Sequence, residues 1–320
     1  MRNPPFKHAI AACGALILVA CGGGDTRVAD GAIGGTGITA SGPIAGFGSV
    51  FVNGIEFRTS SATPISINHI ANRAQSDLGL GWVVTVQGML NADGMSGIAS
   101  SIDYGSNIRG LVEDVNLDAR TISVLGQTVR VPAGVIIQGF TSLADLTTNE
   151  MVEVSGFIDA ESRIVATYIE QQGPFVPGVS ELRLRGAVAN LTQRTFTVGN
   201  LSVDYSMVLP QNLFVGILSN GMVVQIGSNS LPQNGVLTAT RVRTIDQSLG
   251  AVEGNQIVVQ GLIANFSAAS HFSVSGLPVT ISTETVFENG TTATLSTDSK
   301  VQVRGRWAEG VIAASKISFL

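Results

Sequence analysis

Along most of the chain, apolar and polar positions alternate in short runs that glycine interrupts, and the runs come in a recurring order. The order is cleanest from Gly110 to Glu170. A Gly-x-Val step at Gly110 leads to VLGQTV (Val124 to Val129), two β-type runs joined by two residues. A short helix-like stretch, Ser142 to Leu146, is followed by VEVSG (Val152 to Gly156) and an Ala-x-x-Ile step, Ala166 to Ile169. Units of this kind open at Gly42, Gly110, Gly186 and Gly261, at spacings of 68, 76 and 75 residues. Their two-residue junctions read VNGIEF from Val52, VLGQTV from Val124, VGNLSV from Val198 and VSGLPV from Val274. Each predicts a β-hairpin, because Asn53-Gly54 and the glycines at Gly126, Gly199 and Gly276 accept the positive φ that a tight turn demands.

The later parts of each unit are equally repetitive. An alternating strand ends on glycine in VTVQG (Gly88), VEVSG (Gly156) and VQVRG (Gly305), whereas the third unit closes as VVQIG on Gly227, which suggests a bulge or a shortened strand. Ala99 with Ile102, Ala166 with Ile169, Ala239 with Val242 and Ala314 with Ile317 place a small residue three before a branched one, as a tight spot in a closed barrel would require. Short helices are expected at Ile70 to Leu78, Ser142 to Leu146, Asn212 to Leu218 and Thr292 to Ser296. The order strand, hairpin, short helix, strand, strand predicts an all-β chain with minor helix, built as four tandem OB-like five-stranded barrels in a row. Two β-sandwiches, each built from paired repeats, are the alternative. The implied divisions are 42–105, 106–172, 173–246 and 247–320, with linkers near Gly105-Ser106, Gly173 to Gly178 and Gln247 to Gly250. Units of about 60–75 residues are marginal alone, so neighbours are expected to pack.

The N-terminus adds an address. Arg2 and Lys7 precede a short apolar run, Ala9 to Ala20, that is too brief to span a bilayer and reads as a secretory signal over residues 1–20. Its end, LVAC (Leu18 to Cys21), resembles a bacterial lipobox, which implies cleavage before Cys21 and acylation of that thiol. Gly22 in the next position resembles the sorting signal that favours the outer membrane of a Gram-negative bacterium. Residues 21–41, rich in Gly, Thr and Ala, read as a flexible tether. Loss of Cys13 with the signal would leave Cys21 alone, so no intramolecular disulfide is expected. Hydrophobic residues make up 44% and charged residues 13%, the balance of an extracytoplasmic β-protein with many tight turns rather than a disordered chain. Removing Arg2 and Lys7 leaves 16 basic against 23 acidic residues, a charge of −7 with no footprint for nucleic acid.

With GPIAGFGSVFVNGIEF (Gly42 to Phe57), VEVSG and the Ala-x-x-Ile steps together, the chain resembles proteobacterial lipoproteins that carry repeats of domain of unknown function 5666, over roughly Gly42 to Phe319. That resemblance implies class and address; the family brings no established activity.

Candidate chemistry is sparse. His69 and His271 fall in different units, and no HExxH, CxxC or EF-hand loop appears, so no metal and no cofactor is expected. No GxSxG elbow marks a nucleophile. Acids such as Glu56, Glu113, Asp114, Asp159 and Glu161 fall singly or in short local groups, and Glu153, mid-strand, is expected to face solvent. GGTG at Gly34 to Gly37 reads as tether rather than a phosphate loop. Two features stand out. LRLRG and TRVRT place Arg183, Arg185, Arg241 and Arg243 at period two, a candidate patch for carboxylate or phosphate, with solvated strand faces neutralised by acids such as Glu181 as the alternative. Phe47, in a Gly-flanked loop, and the Asn53-Gly54 turn are candidate contacts for a partner by analogy with the binding face of OB barrels. The chain thus reads as a lipid-anchored, non-enzymatic envelope protein that binds a protein or glycan partner and meets the membrane through the lipid on Cys21. A small-ligand carrier or hydrolase using a cleft between units, and a structural spacer, are the alternatives.

Overall fold

The computed structural model describes residues 36–209, 213–214, 218–268 and 271–320. The stretch expected to be a signal segment and Cys21 lie outside the described residues. Period-two patterning produces strands throughout. The first segment gives β1 (Thr36–Gly46), β2 (Val50–Val52), β3 (Ile55–Arg58), β4 (Ile65–Ile67), β5 (Val83–Leu90) and β6 (Ser96–Tyr104). The second gives β7 (Ile108–Asn116), β8 (Thr121–Val124), β9 (Gln127–Arg130), β10 (Ile136–Gln138), β11 (Met151–Ile158) and β12 (Ile164–Gln171). The third gives β13 (Leu182–Ala187), β14 (Thr195–Val198), β15 (Leu201–Asp204), β16 (Leu213–Phe214), β17 (Val223–Ser228), β18 (Val236–Thr238) and β19 (Arg241–Thr244). The last gives β20 (Gln256–Ala268), β21 (His271–Val274), β22 (Leu277–Thr280), β23 (Val286–Glu288), β24 (Lys300–Ala308) and β25 (Val311–Phe319).

Pairing closes these segments into OB-like barrels. In the first, β1 pairs β2, β2 pairs β3, β3 runs parallel to β6, β6 pairs β5, and β5 returns to β1. The second closes in the same order through β7, β8, β9, β12 and β11, and the last through β20, β21, β22, β25 and β24. The third keeps the order in split form: β14–β15–β18 is a separate small sheet, tied back by a bridge between Ala189 and Thr197. All four expected hairpins form, with Val52 opposite Ile55, Val124 opposite Gln127, Val198 opposite Leu201, and Val274 opposite Leu277. Asn53 and Gly54 both take positive φ, as the first turn requires. The inward residues of that hairpin, Val50, Val52, Ile55 and Phe57, are fully buried, each worth about 1.5–3 kcal/mol of transfer free energy.

Glycine and alanine explain how so small a barrel closes. Register shifts occur at Gly88, Gly156 and Gly305, which lie opposite Ala99, Ala166 and Ala314. A Cβ at these glycines would collide with the carbonyl oxygens of Ile98, Val165 and Ala313. The recurring glycine and the recurring alanine are therefore two halves of one β-bulge. Between β17 and β19 no such shift occurs; there the last strand breaks around Ala239 instead.

Several expectations are corrected. The short helices are single 3₁₀ turns at Gln75–Asp77, Leu143–Asp145 and Thr292–Thr294; of Asn212 to Leu218, the described part includes the strand β16 and the rest lies mostly outside the described residues. A bare three-residue turn suffices because the chain needs only to reverse between β4-type and β5-type strands. Thr36 to Ser41, assigned to the tether, belongs to β1, because it pairs with β5 on one side and β20 on the other. The barrels are not a simple row either. β1 runs parallel to β20, joining the first and last segments, while Arg109 and Ile108 of β7 pair with Arg183 and Leu184 of β13. The second and third segments share one hydrophobic core, whereas the first and last have their own.

Replacing Gly156 with alanine is expected to destabilise the protein by about 1–3 kcal/mol through overpacking at the bulge. Gly173→Ala, where a Cβ meets nothing within 4 Å, is the control and should be near neutral. Denaturant midpoints of the two variants check this; equal midpoints would refute the role given to the bulge.

Candidate functional site

The densest polar chemistry lies where the first three segments meet. Pairing across the second and third segments brings Arg241, Gly227, Arg183, Arg109, Glu153 and Glu170 into one row on successive strands. Two arginines directly opposite one another repel, and Glu153 answers both: its Oε2 lies 3.7 Å from Arg109 Nε and 3.8 Å from Arg183 Nη1. Glu153 is buried, not solvent-facing as alternation implied, because the outer face of its strand is covered by the first segment. That cover is the turn at Asn68 and His69, both at positive φ. Asn68 Nδ2 donates to Glu153 Oε1 at 3.0 Å, while Asn68 Oδ1 accepts from the backbone N–H of Ser106 at 2.9 Å. Ser106, expected in a linker, is fully buried here and also accepts from Arg183.

Aromatic rings finish this junction. Trp82 stacks on Tyr104 at 3.9 Å between centroids and meets Tyr168 edge-on at 5.9 Å. Burial raises the Tyr104 pKa well above the ordinary phenol value, and the Glu153 charge adds to it. The backbone N–H of Val83 donates to Ser155 Oγ, and Thr167 Oγ1 donates to the Gly81 carbonyl, so the same face is stitched by neutral bonds.

The four arginines singled out by period two do share one face, in two rows across β17. Arg183 and Arg241 flank Gly227; Arg185 and Arg243 flank Gln225. In the first row Glu181 bridges both guanidiniums, at 2.7 Å to Arg183 Nη2 and by a close ion pair to Arg241. Gly227 makes this feasible, because the Glu181 carboxylate occupies the space its side chain would take. Among the described residues, no carboxylate lies within ion-pair distance of Arg185 or Arg243. Burial holds Arg183, Arg185 and Arg241 below the ordinary guanidinium value; Arg243 pushes Arg241 the same way, while Asp103 opposes the shift at Arg185.

The other candidates disperse. Asn53 is buried and donates through Nδ2 to the carbonyls of Ser41 (2.8 Å) and Val258 (3.0 Å), so it joins the first segment to the last. Gly54 sits beside it in the same turn. Phe47 is 42% exposed, in the turn between β1 and β2. His69 is exposed yet desolvated enough at its packed edge to hold its pKa below the usual imidazole value; a hydrogen bond with Gln225 opposes this and the Arg243 charge adds to it. Asp159, Glu161 and Asp298 converge within 4.8 Å, but Arg163 ion-pairs with Asp159 and Glu161 at 2.7 Å each, and Asp298 accepts from the Ala160 N–H. A cleft of about 330 Å3 between Asp93–Met95 and Gln302, Arg304 and Lys316 holds one carboxylate; a second, of about 570 Å3 around Thr280–Ser282 and Arg306, also holds one, Glu284. Neither brings two acids face to face.

Sequence reasoning missed Glu153, Asn68, Tyr104 and Trp82 as partners. Thr85 and Gln302 hold the place of Glu153 in VTVQG and VQVRG, so the only signal was a charge where the sister repeats are neutral.

Closed five-stranded barrels of OB-like order, joined through continuous sheets, define an all-β repeat protein. The family model described as Domain of unknown function (DUF5666) matches residues 37–103, 109–170 and 252–318, and the chain belongs to that family. The unmatched stretch between the last two is the segment whose sheet is split. A search of curated proteins returned no match.

Truncating Glu153 to alanine should cost about 3 kcal/mol, because it leaves the half-buried Arg109 without a carboxylate and the buried Arg183 with Glu181 alone. Adding Arg183→Met to Glu153→Ala should recover part of that loss. Strict additivity in a double-mutant cycle would show that the two do not interact.

Proposed function

We propose that this protein is a lipid-anchored envelope protein that binds a protein or glycan partner through the outer face of its first barrel. The observation that carries the reading is a set of exposed apolar side chains on that barrel: Phe47 (42%), Met89 (44%), Met95 (68%) and Ile98 (49%). Met89 and Ile98 are cross-strand partners on β5 and β6, and Met95 lies in the β5–β6 loop. The β1–β2 turn that bears Phe47 and the β5–β6 loop that bears Met95 correspond to the two loops with which OB barrels bind ligands, and Met89 and Ile98 lie on the strands that lead into the second of them. Monomeric proteins seldom leave such side chains together without a use for them. The lipobox LVAC and the short stretch between Cys21 and Thr36 support anchorage close to a membrane surface. A binding rather than catalytic role is supported by the engagement of Glu153, Asp159, Glu181 and Glu288 in ion pairs.

Crosslinking of intact cells carrying the full chain should recover a partner. Met95→Glu combined with Phe47→Ala should reduce recovery about tenfold or more, a hot-spot effect, without lowering the thermal midpoint. Equal recovery with the double variant would place the contact elsewhere, and turnover of an envelope glycan by the purified protein would overturn the non-enzymatic reading.

A further inference from the structure

The two arginine rows on the third segment are built alike and completed differently. In both, arginines on β13 and β19 flank one residue of β17. The Arg183–Arg241 row has glycine in the middle, and Glu181 fills that gap with a carboxylate that both guanidiniums bind. The Arg185–Arg243 row has Gln225 in the middle, a buried amide that brings no charge. No carboxylate among the described residues reaches ion-pair distance of either arginine, although Asp103 acts on Arg185 from farther away. Among the described residues Arg243 Nε is buried with no hydrogen-bond partner, an expensive state for a charge-bearing donor; Arg183 Nε shares it, but there Glu181 binds the same guanidinium through Nη2. His69 stands at the edge of this row, in contact with Gln225 and repelled by Arg243.

We propose that Arg185, Arg243 and Gln225, with His69 at the rim, bind a phosphate group, which does for this row what Glu181 does for the other. Two guanidiniums on either side of an amide present donors from several directions. A tetrahedral oxyanion has oxygens enough to accept from both guanidiniums and the amide together, whereas the two oxygens of the Glu181 carboxylate serve two guanidiniums across a glycine. Both arginines are half-buried, so the interaction is weakly screened compared with one on an open surface. A chain of net negative charge has no general attraction for anions, so binding would depend on this local arrangement. A free phosphate and the phosphate headgroup of a lipid present the same chemistry to the arginines.

The test uses the full chain, with inorganic phosphate and with vesicles containing phosphatidic acid as separate probes, and chloride at equal ionic strength as control. Inorganic phosphate should raise the thermal midpoint and move the His69 imidazole pKa upward, read by NMR, because an anion offsets the repulsion from Arg243. Arg243→Gln should raise the phosphate needed for half-saturation about tenfold or more. His69→Asn, which suits the positive φ there, should keep the fold and weaken the response less. If only the vesicles bind, and Arg243→Gln abolishes that binding, the source is a lipid headgroup. Responses to phosphate no larger than to chloride, together with no vesicle binding, would overturn the proposal. So would equal binding by wild type and Arg243→Gln. If Arg243→Gln misfolds by circular dichroism, an unweakened response in His69→Asn with no shift of the wild-type His69 pKa would do the same.

Discussion

A five-stranded sheet can close on itself within some sixty residues only if two strands approach more closely than side chains allow, and glycine facing alanine provides that approach. Gly88 with Ala99, Gly156 with Ala166 and Gly305 with Ala314 place a bulge at the same point of each closed barrel. The bulge turns the strand, the turned strand meets its parallel neighbour from the hairpin, and the ring is complete. Where the pair is missing, between β17 and β19, the final strand breaks and the sheet divides. The split segment is also the one that the family model leaves unmatched. One steric requirement thus accounts for both the repeated motif and its exception.

This requirement was legible because it is local. The four hairpins, the alternating strands and the tight Gly–Ala spot could be read from residues a few positions apart, and so could the irregularity at VVQIG. What lay beyond reach depended on residues far apart in sequence. Asn53 looks like an exposed turn residue, yet its amide bonds Val258 of the last segment, 205 residues on. Glu153 looks like an outward residue of an alternating strand, and it is one; the outward face is simply buried by the Asn68–His69 turn. Alternation tells which residues leave the barrel interior and says nothing about what the exterior meets. The arginines were legible as a pair of period-two runs, but not the residue between them, which decides that one row holds its own carboxylate and the other does not.

The junction at Glu153 also illustrates why a buried ion pair is poor evidence of stability and better evidence of specificity. An apolar contact there would tolerate a slip of β13 along β7. A slip of one residue would carry Arg183 to the other face, away from Glu153 and Glu181. The charges therefore fix the register at which the second and third segments join, while the shared core supplies the driving force. Gln127 reinforces that register with uncharged bonds, donating to the Val198 carbonyl across the same junction.

Joined sheets bear on the choice between a binding body and a spacer. A spacer made of independent units would lose only length when one was removed. Here β1 lies between β5 and β20, and removing the last segment would strip one full edge of hydrogen bonds from the first strand and withdraw the Asn53–Val258 bond with it. Removing the third segment would take Arg183 away from Glu153 and would divide a core built from both segments. The first strand is thus hydrogen-bonded on both sides, by β5 and by β20. Such an arrangement suits a body whose segments depend on one another. It does not suit a string of exchangeable beads.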